Sequence, residues 1–267
     1  MDANRLNTKP PTSPKSVQFD PSTQPWVVAN TLQHPDGSSS LLPALHSQDF
    51  NRDLIDQIFN AGFIWHEDVN VRQWNYDKRH SGNLGRYIQA AVLIPLVINA
   101  QGQTEVLLTL RSKRLKNHSG QISFPGGRVE STDLSNQEAA IRETYEEVGV
   151  AKENIEIFGQ MPEFLTGTGF VIKPYIAYIK PTQAYTIDPN EVEKTILVPL
   201  DYILDPNNHR YYSTELGPKL IQHYYGIEWQ DAEGNRFLIW GATAAILRNL
   251  YQRLRQGMAQ QQIHNAP

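Results

Sequence analysis

Two adjacent glycines ahead of a helix-forming run with all its acids on one side constrain this chain more than any other feature. The run begins Gly126-Gly127-Arg128-Val129-Glu130-Ser131-Thr132-Asp133 and continues as Arg142-Glu143-Thr144-Tyr145-Glu146-Glu147-Val148-Gly149-Val150. At a helical turn of about 100° per residue, Glu143, Glu146 and Glu147 share an arc of roughly 100°. Ile141, Thr144, Tyr145 and Val148 take the opposite arc. One side of such a helix packs while the other concentrates negative charge. Three close carboxylates repel unless a cation or basic partner offsets them. An all-oxygen donor set suits Mg²⁺ or Mn²⁺. The competing reading is a solvated acidic face with an ordinary Arg142/Glu146 pair at i, i+4, and the glycine turn upstream favours the first.

The chain length of 267 residues is enough for one large core with an additional terminal layer. Its 24 basic and 28 acidic side chains leave a formal net charge of -4, which argues against broad binding to nucleic acid or anionic membranes. Cysteine is absent, so disulfides, thiolate metal sites and cysteine nucleophiles are excluded. The chemistry falls to carboxylates, hydroxyls, imidazoles or a metal. No apolar run approaches the ~20 residues needed to cross a bilayer, and the first residues lack the apolar segment of a secretion signal. The expected location is the cytoplasm.

Residues 1–45 are rich in Pro, Ser, Thr and Asn and are expected to form a disordered arm. Residues 46–86 are read as a helix and a polar loop. The helix runs from Ser47, as N-cap, to Ala61, with Phe50, Leu54, Ile58 and Phe59 near one face and Gly62 as its stop. From His66 to Arg86 the composition predicts a long polar loop. The main domain spans 87–258. It opens with a hairpin, Ala91–Ile98 and Glu105–Leu110. Ser135 and Glu138 form a capping-box pattern ahead of the acidic helix, and Gly149 stands at its left-handed stop.

Further strands are predicted at 155–158, 170–179 and 195–199, a later hairpin at 220–226 and 237–240, and a second helix from Ala242 to Gln256. Residues 259–267 are read as a flexible tail. The mixture of strands and helices indicates an α/β (α+β) chain with helices covering a mixed sheet.

The stretch Arg142 to Val150 resembles the second half of the Nudix box, G-x5-E-x7-R-E-U-x-E-E-x-G-U, with Thr144 at the first aliphatic position. The first half departs: Asp133 stands sixth after Gly127, and eight residues separate it from Arg142. This longer spacing with Asp is similar to the coenzyme A pyrophosphatase branch of the Nudix hydrolases. Leu107-Leu108-Thr109-Leu110-Arg111-Ser112, then Lys116, Gly120 and Phe124-Pro125-Gly126-Gly127, resembles that branch's L-L-T-x-R-S-x3-R-x3-G-x3-F-P-G-G signature, with Lys116 in place of Arg. The segments 189–192, 198–204 and 239–247 also look like that branch, so the resemblance covers roughly residues 88–255.

The resemblance implies an α/β/α sandwich with a mixed central β-sheet and hydrolysis of a diphosphate bond supported by Mg²⁺ or Mn²⁺. It implies Glu143 and Glu147 as metal ligands, Glu146 as a further ligand or the general base, and a main-chain carbonyl at Gly126 completing the sphere. Arg142 is read as an orienter of carboxylates. Glu191 is read as a base, an extra ligand or an exposed loop acid. Arg111 and Lys116 are the foremost phosphate-recognising candidates, ahead of Lys113, Arg114 and His118. Tyr211, Tyr212, Tyr224, Tyr225 and Trp229 are read as adenine-stacking residues or as strand and core residues.

The expected substrate is coenzyme A or an acyl-coenzyme A, giving 3′,5′-ADP and a 4′-phosphopantetheine product. ADP-ribose, NADH or another nucleoside diphosphate derivative is the alternative, and a non-catalytic nucleotide-binding module a third reading. The expected partner is a small nucleotide, with neither nucleic acid nor membrane, and the N-terminal helix is a candidate homodimer contact.

Overall fold

The computed structural model describes residues 21, 31–34, 42–50, 52–60, 62–80, 87–180, 184–217 and 220–264. Most of the arm expected over 1–45 lies outside these residues, as do 265–267 of the expected tail. Strand β1 (Thr31–His34) pairs antiparallel with β10 (Arg210–Gly217), which with β11 (Leu220–Gln230) and β12 (Arg236–Trp240) completes a four-stranded sheet.

The main sheet has β2 (Ile88–Ile98) at its heart. It includes β3 (Thr104–Arg111), β4 (Ile122–Ser123), β5 (Gly126–Arg128), β6 (Ile155–Gln160), β7 (Phe164–Leu165), β8 (Phe170–Ile179) and β9 (Val192–Pro199). β2 and β8 run parallel and the other pairings are antiparallel, which makes the sheet mixed. Alternation along β2 sorts its apolar run to two faces. Ala91, Leu93 and Val97 pack with Ala139, Ala140 and Val148 of helix α3 (Asn136–Val148). Val92, Ile94 and Leu96 join the opposite core with Ala245, Leu250 and Leu254 of helix α5 (Gly241–His264). The architecture is the expected α/β/α sandwich.

One edge of β2 changes partner along its length, and that change opens the site. Ala90 to Val92 pair with β5, whereas Leu96 to Ile98 pair with β3. Pro95 lies in the gap. The amide of Leu93 donates to Pro125 on this edge, so by strand parity the N–H that Pro95 lacks would face the gap too. A residue without a donor loses nothing there, and β3 and β5 diverge around it.

Helix α3 begins and ends as its sequence predicts. The Ser135 hydroxyl accepts from the Glu138 amide at 3.2 Å, and Gly149 closes the helix at φ 73°.

Elsewhere the structure corrects the sequence reading. Ser47 opens a 3-10 turn over Ser47–Asp49, its N–H donating to the Asp201 carboxylate, while helix α1 (Arg52–Asn60) starts later. The segment expected as a polar loop contains helix α2 (Val69–His80). Its inward face carries Val71, Trp74 and Asn75, so a polar residue sits where apolar periodicity would be sought. The Trp74 indole N–H donates to the Leu165 carbonyl, and Asn75 both donates to the Glu163 carbonyl and accepts from the Leu165 amide. These bonds complete the backbone pairing of short strand β7. Strand β10 was not foreseen, and α5 runs past Gln256 to His264, through the first part of the expected tail. Among the described residues no helix is long and apolar enough to cross a membrane.

Candidate metal centre and active site

The glycine turn is shaped by close approach. A side chain on Gly126, whose φ is 146°, would sit 2.5 Å from the Ala91 carbonyl oxygen; one on Gly127 would sit 2.5 Å from the Glu143 carboxyl carbon. Only glycine lets β5 lie on β2 with a carboxylate of α3 resting over it. The Gly126 amide in turn donates to Oε2 of Glu147 at 3.2 Å.

Glu143, Glu147 and Glu191 converge, each offering a carboxylate oxygen within 4.8 Å of the others. Glu147 is 1% exposed. Arg111, at the end of β3, reaches its Oε1 at 3.4 Å, and the Arg111 Nε is buried with no hydrogen-bond partner among the described residues. Three acids therefore face Arg111 and one edge of Arg142, which is itself shared with Asp133 and Glu146. Burial pushes the Glu147 carboxyl up to about 8, with the charges of Glu143 and Glu191 adding to the effect and Arg111 and the Gly126 amide opposing it. Burial also raises Glu143, against the pull of Arg142. An excess of carboxylates, one buried and two partly buried, over a glycine cradle fits a hard divalent cation.

Glu191 reaches the cluster because its loop is stitched to the basic stretch after β3. The Ser112 amide donates to the Glu191 carbonyl at 2.8 Å, and the Ser112 hydroxyl donates to the Pro189 carbonyl at 3.2 Å. Arg114 donates to Asn190 at 3.4 Å and Lys113 pairs with Glu193 at 3.6 Å. His118, at φ 57°, bonds Gln121 through Nδ1 at 2.9 Å. Lys116 is exposed on the same loop. Sequence spacing held no trace of Ser112 as the residue that seats Glu191; the antiparallel pairing of β3 with β9 supplies it.

Arg142 spreads its guanidinium over the loop and the helix. Nε and Nη2 meet the two oxygens of Asp133 at 2.9 and 3.1 Å, Nη1 meets Glu143 at 3.0 Å and Glu146 at 2.8 Å, and Nη2 also reaches the Arg128 carbonyl. This fork holds the Asp133 carboxyl below its ordinary range. It ties the residue that departs from the box pattern to the carboxylate over the glycine turn. Glu146 is 52% exposed and stands outside the three-acid group, held by Arg142. The aromatic residues belong to the second sheet: Tyr212 stacks on Tyr224 at 5.2 Å, Tyr211 meets Tyr225 at 5.0 Å, and Trp229 meets Tyr202 at 4.8 Å.

A mixed-sheet α/β/α sandwich with clustered acids over a glycine turn defines a class of hydrolase. The NUDIX domain family model matches residues 88–216. The uncharacterized Nudix hydrolase NudL of Citrobacter koseri is 38% identical over 162 residues, covering 61% of this chain and 80% of that protein. NudL of Escherichia coli strain SMS-3-5 is 36% identical with the same coverage. The Nudix domain of Shewanella oneidensis NrtR, solved with ADP ribose, is 24% identical, covering 44% of this chain and 76% of that one at a TM-score of 0.37. The chain belongs to the Nudix hydrolase family.

Proposed function

We propose that this protein hydrolyses the diphosphate bond of coenzyme A or its thioesters, releasing 3′,5′-ADP and a 4′-phosphopantetheine product. The observation that carries the reading is the meeting of two sequence motifs in one place. Arg111, from the stretch that resembles the coenzyme A pyrophosphatase signature, reaches Glu147 of the Nudix helix, and Glu143 and Glu191 lie alongside.

Glu143, Glu147 and Glu191 are the residues that would hold Mg²⁺ or Mn²⁺. When bound, such an ion neutralises the diphosphate and lowers the pKa of an attacking water. Arg111, whose side chain is partly exposed, is assigned to a phosphoryl oxygen as charge spreads over it. Arg142 fixes the direction of the Glu143 carboxylate through its fork on Asp133. Glu146, next to Glu147 on the helix and outside the three-acid group, is assigned the proton of the attacking water. Lys116, exposed on the loop after β3, is assigned to an outer phosphate.

Incubation of the full chain with Mn²⁺ and coenzyme A, followed by mass spectrometry, is expected to yield 3′,5′-ADP and 4′-phosphopantetheine. Intact coenzyme A with hydrolysis of ADP-ribose or NADH would replace this substrate assignment.

A further inference from the structure

A row of side chains leads from the candidate metal centre to helix α2, and its cationic groups have no part in the chemistry described above. Gly127 pairs with Ala91, and Ala91 pairs with Lys173 of β8. Two inter-strand spacings separate the glycine beneath Glu143 from Lys173, about 10 Å. Lys173 alternates in phase with Tyr175, Ala177 and Ile179, which pack toward α3, so it lies on the face of the sheet that carries the three acids.

Its ammonium meets Oε1 of Glu163 at 3.3 Å, and Arg79 of α2 meets Oε2 of the same carboxylate at 3.4 Å. Lys78 comes from the same turn of α2, its Nζ 3.9 Å from where a side chain on Gly167 would begin. Two cations thus share one carboxylate, with Lys173, Arg79 and Glu163 each about a third to a half exposed. The next acid sensed by Arg79, Glu67, is bonded to Asn249. A surface pair alone would need only one cation. The surplus lies on the face of the sheet that carries the site, about 10 Å from the glycine turn.

We infer that Lys173, with Arg79 of α2, forms a subsite for a phosphomonoester carried by the substrate away from its diphosphate, and that Glu163 holds the two cations in place before substrate arrives. The inference rests on the diphosphatase reading and deepens it by naming what selects the substrate. It also gives α2, which precedes the matched family domain, a part in specificity.

Titration calorimetry of the full chain with adenosine 3′,5′-bisphosphate and with AMP, in Mn²⁺, isolates that one phosphate. The wild type is expected to bind the bisphosphate about tenfold tighter, as charge-assisted bonds of this kind warrant. Lys173→Met should remove the preference, Arg79→Met should reduce it, and Lys173→Arg should retain it. Melting temperatures identify any variant that fails to fold, and the two methionine variants serve as independent tests.

Equal affinity of the wild type for both ligands, or an undiminished preference in both methionine variants, would overturn the inference. A preference that depends on Lys173, in a protein that leaves coenzyme A intact, would support the subsite and sink the diphosphatase reading.

Discussion

Two of the places where charge is buried in this molecule are balanced differently. Beside α5, Arg248 is fully buried and meets Oδ2 of Asp68 at 2.9 Å. Tyr225 donates to the other oxygen at 2.9 Å, Asn249 accepts from the Asp68 amide, and the rings of Tyr225 and Tyr251 flank the guanidinium at 5.5 and 5.6 Å. There the charges match one to one and the aspartate is bonded on both oxygens. At the other place, Glu143, Glu147 and Glu191 have no such one-to-one match: Arg111 meets Glu147, and the Arg142 that meets Glu143 is itself shared with Asp133 and Glu146.

A matched pair locks the chain before the sandwich onto its last helix. An unmatched cluster leaves negative charge uncompensated, and it is there that we propose a cation binds. Both cost desolvation, but only the second leaves charge to be neutralised by something from outside.

Breaking each centre should therefore have different consequences. The largest effect is expected from Asp68→Ala, which leaves Arg248 buried without its counter-ion and should cost about 3–5 kcal/mol of stability. Chemical denaturation would measure it. A loss below ~1 kcal/mol would mean that Arg248 and Asp68 are not the clamp described.

Glu147→Gln, by contrast, removes one of three repelling acids. We expect turnover to fall about 10²–10³-fold, on the scale seen when a key electrostatic contributor is deleted, while the metal-free protein melts no lower than the wild type. Steady-state rates and calorimetry of the same preparation decide both halves. A variant that keeps its rate would remove Glu147 from the metal centre.

The smallest effect is a slope of stability with pH. In the folded, metal-free protein Glu147 holds its proton up to about 8, whereas in the unfolded chain it loses it near the ordinary glutamate value of 4.5. Between these values the folded state binds more protons, so this group's contribution makes stability fall as pH rises from about 4.5 to 8. Mn²⁺, which needs the ionised carboxylate, should reverse the trend. The gap in melting temperature between Mn²⁺-loaded and EDTA-treated protein should thus widen from pH 5 to 8. A gap independent of pH would contradict this account, and Glu147→Gln should flatten it.

Much of the molecule was legible before any coordinates. The hairpin of β2 and β3, the capped helix α3, its glycine stop and the later hairpin all follow from local periodicity and turn chemistry, where neighbours in sequence decide the outcome. Helix α2 was not legible, because its inward face includes Asn75 and its stability comes from bonds to β7, some 90 residues away. Strand β10 was missed for a similar reason: it is defined by pairing with β1 and β11.

At the site, the helical wheel grouped Glu143, Glu146 and Glu147 by angle alone. The fold divides them, turning Glu143 and Glu147 over the glycine turn and leaving Glu146 on Arg142.

What the sequence by itself determined is the donor chemistry: acids at helical spacing, glycines where no side chain fits, and no thiol to compete. Tertiary structure alone decided which acids meet, because Glu191 lies on a loop whose position depends on β3 pairing with β9 and on Ser112 holding its backbone. Helical periodicity is a property of a few consecutive residues. Convergence of three carboxylates within 4.8 Å of one another depends on strand pairing between distant segments, which no local pattern encodes.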